Sequence, residues 1–405
     1  MGLNDTAASE RIHIAFFGLR NAGKSSLVNA VTAQELSVVS DIKGTTTDPV
    51  RKTMELLPLG PVVIIDTPGL DDVGVLGEKR IQKAKQMLAQ TDIAVLVVDA
   101  EAGISEQDQA IVKSFQEKKL PYLIVMNKAD LLKERKPLSE EYLYASALTG
   151  EGINALKERL GVFAKAKKNP KRIVSDLLEP NDHVVLVVPI DESAPKGRLI
   201  LPQQQTIRDI LDAHCTLSVC QPEELTQVLD SMKTPPKLVI TDSQAFAQVS
   251  AVVPESILLT SFSILFARYK SDLKKFVEGS ARLSGLKNGD RVLISEGCTH
   301  HRQCNDIGTV KLPGWIERFT GVQPEYSFTS GGDFPENLSE YALIVHCGRC
   351  MLNEAEMRYR MEKAVSAGVP MVNYGIAIAH MHGILRRALS PFPELQTLLD
   401  SSCVT

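Results

Sequence analysis

The sequence predicts an α/β chain built as three successive units, and three observations carry that prediction. Strand-sized apolar runs alternate with amphipathic helical stretches along most of the 405 residues. A glycine-rich turn lies between the first apolar run and the first helical stretch, as at the opening of a parallel α/β sheet. Between residues 165 and 172 a lysine-rich run interrupts the alternation, which then resumes with a different spacing.

In the first unit, 1–168, the strands are expected at Ile12–Phe17, Val62–Asp66, Ile93–Asp99 and Tyr122–Met126. They form a parallel sheet with helices on both faces. Lys165–Arg172 reads as a charged connector. In the second unit, 178–262, the expected strands are His183–Pro189, Thr216–Cys220, Lys237–Thr241 and Ser256–Thr260, with helices at Pro202–His214 and Pro222–Met232. A small sheet with an unclaimed edge suits a dimerisation module as well as a spacer. In the third unit, 263–405, helices are expected at Ile264–Leu283, Asn305–Thr320, Asn353–Ala367 and Gly375–Leu389. Its strands are Arg291–Ser295, Ala342–His346 and Pro370–Asn373.

The composition, 44% hydrophobic and 23% charged, is that of a globular protein. A formal net charge of −4 argues against a large nucleic-acid footprint, so nucleic-acid partners are not expected. No apolar run approaches the ~18 residues that a membrane helix needs, so no membrane partner is expected either. The polar start MGLNDTAASE reads as lacking a secretory signal, which places the chain in the cytoplasm. Reduced thiols are expected there, so the seven cysteines are read as ligands or core residues. Cys215, Cys220 and Cys403 stand alone and read as core or incidental residues.

Four motifs in the first unit define a GTP site. Gly18-Leu-Arg-Asn-Ala-Gly23-Lys24-Ser25-Ser26 is a phosphate loop following a strand. Lys24 is expected on the β- and γ-phosphates and Ser25 on Mg²⁺. Asp66-Thr-Pro-Gly69 ends a strand, so that Asp66 orients the Mg²⁺ shell and the Gly69 amide senses the γ-phosphate. Asn127-Lys128-Ala-Asp130 reads the base, because Asp130 can accept two hydrogen bonds from guanine that adenine cannot supply. Ser146-Ala147 completes the base pocket. The fold class is therefore a P-loop GTPase domain followed by two smaller α/β domains.

Gly44-Thr45-Thr46-Thr47-Asp48, together with Asn21, resembles the potassium-activated bacterial GTPases of tRNA modification and ribosome assembly. That resemblance implies Thr46 on Mg²⁺ and Asn21 on K⁺. Leu70 stands where Ras-like proteins carry a water-orienting Gln, and a monovalent cation can offset developing phosphate charge in its place. Slow turnover that rises when Na⁺ is replaced by K⁺ is the expected result, and equal rates in the two salts would remove the cation.

The third unit carries soft metal ligands. Cys298, Cys347 and Cys350 supply three thiolates, with His300, His301, His346, Cys304 and Glu296 as candidates for a fourth position. The residues alone fit a Cys₃His zinc site and a three-cysteine iron–sulfur cluster equally well. His380 and His382 are two apart on an expected helix and so face apart.

A phosphate loop of the potassium type, a middle α/β unit, and Cys298-x-His300 followed by His346-Cys347-x-x-Cys350 together resemble the HydF family. These are the GTPases and scaffolds of iron–iron hydrogenase maturation. The resemblance implies a homodimer held by the middle domain and a [4Fe–4S] cluster on Cys298, Cys347 and Cys350. It also implies a diiron precursor received from radical-SAM maturases and passed to the apo iron–iron hydrogenase. A tRNA-modification or ribosome-assembly GTPase with a zinc-stabilised C-terminal domain is the alternative expectation.

Overall fold

The computed structural model describes residues 11–32, 50–67, 87–134, 142–167, 172–190, 199–297, 307–348 and 352–402. It is a mixed α/β chain with two compact units. The first comprises Met1–Asn169 and Met351–Tyr359, the second Pro170–Cys350 and Arg360–Thr405.

The first unit is built on a six-stranded sheet: β1 (Ile12–Phe17), β2 (Val50–Leu56), β3 (Gly60–Asp66), β4 (Ile93–Asp99), β5 (Tyr122–Asn127) and β6 (Tyr142–Tyr144). The strand order is β2-β3-β1-β4-β5-β6, and only β2 runs antiparallel to its neighbour. Successive residues of the central strands point to opposite faces, and both faces are dry. Ile14, Phe16, Val62, Ile64, Val95 and Val97 enter one core with Leu27 of α1 (Lys24–Thr32) and Leu156 and Leu160 of α3 (Ile153–Lys167). Ala15, Phe17, Ile65, Leu96 and Val98 enter the other with Phe115 of α2 (Glu106–Glu117). This two-sided burial is why the strands read as unbroken apolar runs. A capping box starts α2: the Asp108 N–H donates to Ser105 Oγ, and the Ser105 N–H donates to Asp108 Oδ2. The lysine-rich run expected as a connector begins inside α3, which continues to Lys167.

Residues of the late segment Met351–Tyr359 complete this unit. The buried Asn353 donates from Nδ2 to the Gln90 carbonyl at 2.7 Å, while its Oδ1 accepts from the Glu356 N–H at 3.0 Å. The second bond caps the helix that starts at Glu354. Asp92, which follows Gln90 and Thr91, accepts the His13 N–H of β1 at 2.9 Å.

The second unit holds two four-stranded, all-parallel sheets. One has the order β10-β9-β7-β8, from β7 (His183–Val187), β8 (Thr216–Cys220), β9 (Leu238–Thr241) and β10 (Leu258–Ser261). Its helices are α4 (Leu201–Asp212), α5 (Leu225–Ser231) and α6 (Phe246–Val252). Cys215 and Cys220 are buried beside this sheet. Burial pushes both thiols up, and the charges of Asp182 and Glu224 add to it, so neither is a ready ligand.

The other sheet has the order β12-β11-β13-β14, from β11 (Arg291–Glu296), β12 (Glu325–Ser330), β13 (Leu343–His346) and β14 (Met371–Asn373). The expected helix Ile264–Leu283 is two helices, α7 (Phe262–Lys270) and α8 (Leu273–Ser284), because Asp272 leaves the helical path and caps α8 through the Lys275 N–H at 3.1 Å. The remaining helices are α9 (Leu312–Thr320), α10 (Glu354–Ser366), α11 (Tyr374–Met381), α12 (Leu385–Ala388) and α13 (Pro393–Ser402).

Helix α8 meets β14 through a glycine. A Cβ on Gly279 would stand 2.1 Å from the Met371 carbonyl oxygen and 2.7 Å from its carbon, both backbone atoms that cannot swing aside. Gly279→Ala is therefore expected to destabilise this unit by about 1–3 kcal/mol or more, despite alanine's better helix propensity. Urea unfolding followed through the unit's single tryptophan, Trp315, is the measurement. An unchanged midpoint would show that α8 slides freely on the sheet.

Candidate functional site

The phosphate loop starts where β1 ends. The register pairs Phe16 with Asp66, so the carboxylate at the end of β3 is delivered beside the loop that begins at Gly18. Ser25 Oγ donates to Asp66 Oδ2 at 2.7 Å, and Lys24 Nζ lies 4.0 Å from Asp66 Oδ1. Both Lys24 and Asp66 are largely buried (10% and 8% exposed side chains). This is the charge arrangement that a phosphate–Mg²⁺ pair requires: a cation and a hydroxyl on one wall, a carboxylate on the other. Two glycines make the loop's path feasible. A Cβ on Gly18 would stand 2.4 Å from the Val97 carbonyl oxygen, and one on Gly23 would stand 2.3 Å from Asn127 Nδ2. Asn21 adopts a left-handed backbone (φ 62°) on the exposed face of the loop, a conformation that asparagine tolerates. Ser26 follows in the first turn of α1.

The base-reading residues are tied to the same loop. Asn127, buried at the end of β5, donates from Nδ2 to the Ala22 carbonyl at 2.9 Å and accepts the Ala147 N–H on Oδ1 at 3.1 Å. Asn127 thus links the phosphate loop to the Ser146-Ala147 turn. Lys128 takes a left-handed backbone (φ 61°) and pairs with Asp99 Oδ2 at 2.6 Å. Burial pushes the Asp99 carboxyl up, but its bonds to Lys128 and the Glu101 N–H outweigh this and hold it below the usual carboxylate range. Asp130 is exposed, its side chain open to a ligand, while Ser146 is fully buried. Thr46 and Gly69 lie outside the described residues.

The second cluster of chemistry sits on the sheet of β11–β14. Strand β11 connects onward to β12 on one side, and β13 connects through α10 to β14 on the other. The C-terminal ends of β11 and β13 thus flank a topological switch point, where open α/β sheets form a ligand crevice. The register pairs Ser295 with His346. The Cys347 N–H donates to the Ser295 carbonyl at 3.0 Å, and Cys347 Sγ accepts the Gly297 N–H at 2.9 Å. An amide bonded to sulfur favours the thiolate, the form that binds metal. Cys347 is partly exposed.

Glu296 accepts the Tyr374 hydroxyl at 3.3 Å, and a Cβ on Gly308 would stand 2.3 Å from Glu296 Oε1 and 2.4 Å from the Tyr374 hydroxyl oxygen. His346 is fully buried, with Nδ1 2.9 Å from the Cys347 carbonyl oxygen and Nε2 3.2 Å from Arg360 Nη1. Cys298, His300 and Cys350 lie outside the described residues, as do His301, Cys304 and Cys403. Among the described residues no three His, Cys, Asp or Glu side chains form a metal-sized group. His380 and His382 each meet an aromatic ring edge-on, Phe319 and Trp315 respectively.

Three segments of the chain match known domains. Residues 13–128 match the 50S ribosome-binding GTPase domain. Residues 173–271 match the hydrogen maturase F dimerization domain, and residues 274–391 match the hydrogen maturase F tetramerization domain. The chain belongs to the hydrogen maturase F family.

This family member is a GTPase whose two further domains are of oligomerising types. Its GTPase part resembles curated proteins outside the family. Over 156 residues it is 36% identical to the tRNA modification GTPase MnmE of Nitrosomonas europaea, covering 37% of this chain and 34% of that one. Over 188 residues it is 36% identical to GTPase Der of Kosmotoga olearia, covering 42% of each. The chain thus spans about a third to two-fifths of the length of these two relatives. Among solved structures, Aquifex aeolicus Era bound to GDP.AlF4- is 20% identical with a TM-score of 0.34, covering 52% of this chain and 93% of that one. The G domain of the T. maritima FeoB iron transporter is 21% identical with a TM-score of 0.28, covering 38% and 99%. No helix among the described residues is long and apolar enough to cross a membrane.

Arg360 and Asn353 were not legible as site-related residues. Each is a polar residue in an amphipathic stretch, and what buries it comes from segments distant in sequence.

Proposed function

We propose that this protein is a GTP-hydrolysing scaffold and carrier in assembly of the iron–iron hydrogenase active site. It receives a diiron precursor from radical-SAM maturases and passes it to the apo-hydrogenase. The GTP-binding domain is residues 1–168, the dimerisation domain 178–262 and the cluster-binding domain 263–405. The observation that carries this reading is the pairing of β11 with β13 in a hydrogen maturase F domain. It sets Gly297, the residue before Cys298, against the sulfur of Cys347.

That arrangement fits a cluster. Cys298, Cys347 and Cys350 would hold a [4Fe–4S] group, and the sulfur-directed N–H suits an anionic ligand. When bound, a cluster with three protein thiolates supplies one iron with an exchangeable position. The chain's own contribution at Cys347 is to seat its sulfur on the Gly297 N–H and its own N–H on the Ser295 carbonyl. In the GTP site, Lys24 neutralises phosphate charge, Ser25 and Thr46 hold Mg²⁺, and Asp66 orients its shell. The Gly69 amide reads the γ-phosphate, Asn21 holds K⁺, and Asn127, Lys128, Asp130, Ser146 and Ala147 select guanine. The protein acts as a cytoplasmic homodimer.

The test is anaerobic reconstitution with iron and sulfide, followed by iron and zinc counting and EPR of the dithionite-reduced protein. About four irons per chain and a reduced-cluster signal are expected. One tightly held zinc with no such signal would overturn the scaffold reading and favour a zinc-stabilised tail.

A further inference from the structure

A fully buried arginine lies at the ends of the strands that carry Ser295 and His346. Arg360, on α10, is 0% exposed, and its guanidinium sits 5.0 Å over the Phe334 ring. Its donors reach the ends of three strands. Nη1 donates to Ser295 Oγ on β11 at 3.2 Å and faces His346 Nε2 on β13 at 3.2 Å. Nη2 donates to the carbonyl of Gly331, just past β12, at 2.7 Å. Thr329 of β12 donates a further hydrogen bond to Ser295 Oγ at 3.1 Å.

The chemistry of the two groups settles which ring nitrogen carries the hydrogen. A guanidinium has donors and no acceptor, so the His346 Nε2 facing it is the acceptor. The ring hydrogen is then on Nδ1, and it donates to the Cys347 carbonyl at 2.9 Å. Both ring nitrogens are engaged, one by Arg360 and one by the backbone of the cysteine. Iron could take Nε2 only by displacing a buried guanidinium. It could take Nδ1 only by releasing the cysteine carbonyl.

We infer that Arg360 and His346 form a brace that positions Cys347, and that His346 is not the fourth iron ligand. Cys347 is held at three atoms: its N–H on the Ser295 carbonyl, its carbonyl on His346 Nδ1, and its sulfur on the Gly297 N–H. Arg360 acts on it through Ser295 and His346, which makes it a positioning residue.

This inference rests on the cluster reading for its consequence but not for its geometry, and the test separates the two. In metal-free full-length protein labelled with ¹⁵N-histidine, His346 is expected to show a hydrogen on Nδ1 and none on Nε2. Arg360→Gln should abolish that pattern. In reconstituted protein, His346→Gln is expected to keep the nitrogen couplings of the reduced cluster, which a lost nitrogen ligand would remove. Arg360→Gln should retain a cluster that loses iron to a chelator about tenfold faster, the equivalent of one lost charge-assisted bond. Arg360→Lys, which keeps the charge but loses the fork, should fall between. A hydrogen on Nε2 in the metal-free wild type would overturn the brace even where the variants fold poorly. So would a strong nitrogen coupling that vanishes in His346→Gln. A wild type that holds zinc instead of a cluster would refute the scaffold reading and leave the ¹⁵N result to decide the brace.

Discussion

Lys24→Ala protein is expected to hydrolyse GTP at least about 100-fold more slowly than wild type, the usual cost of removing one group that stabilises transition-state charge. The side chain is 10% exposed and points at Asp66, with Nζ 4.0 Å from Oδ1. That carboxylate also takes the Ser25 hydroxyl, so Lys24, Ser25 and Asp66 form one charge-balanced group. Alanine leaves Asp66 facing the phosphates without its nearby cation, which weakens nucleotide binding as well as turnover. Single-turnover phosphate release at saturating GTP separates the two effects. A rate within about threefold of wild type would remove Lys24 from the reacting phosphates. The iron content of the variant should be unchanged.

Cys347→Ala is expected to lose the cluster after anaerobic reconstitution, with the reduced-state EPR signal gone. The substitution removes one of the three proposed thiolates, and the remaining two are not expected to hold a cubane. It also leaves the Gly297 N–H without the sulfur it donates to. Cys220→Ala is the control. That thiol is buried at the end of β8, pushed up by burial, and its removal should leave iron binding untouched. Full iron content in Cys347→Ala would refute the assignment of this crevice.

The parts of the fold that were legible are those buried on both faces. β1, β4 and β5 read as strands because nothing polar interrupts them. β2 and β12 were missed for the opposite reason. Both are edge strands, and their residues VRKTMEL and EYSFTS are largely half-exposed or exposed. The expected helix Gly375–Leu389 breaks at Gly383, whose φ of +70° ends α11 before α12 begins. The nucleotide motifs were legible because loop geometry fixes residue type locally: only glycine fits where Gly18 passes Val97 and Gly23 passes Asn127. Arg360 was not, because an arginine in an amphipathic helix reads as solvated. Its burial depends on Ser295, Gly331 and His346, which only the sheet topology brings together.

The bond from Asn353 to the Gln90 carbonyl bears on how the protein is made. Chains emerge from the ribosome from the N-terminus, and domains generally fold in that order. Here the nucleotide-binding unit borrows residues Met351–Tyr359, so its last pieces are translated about 180 residues after Asn169. Until then the Gln90 carbonyl must be satisfied by water or a chaperone. A GTPase fragment cut at Asn169 would carry that unfinished patch permanently.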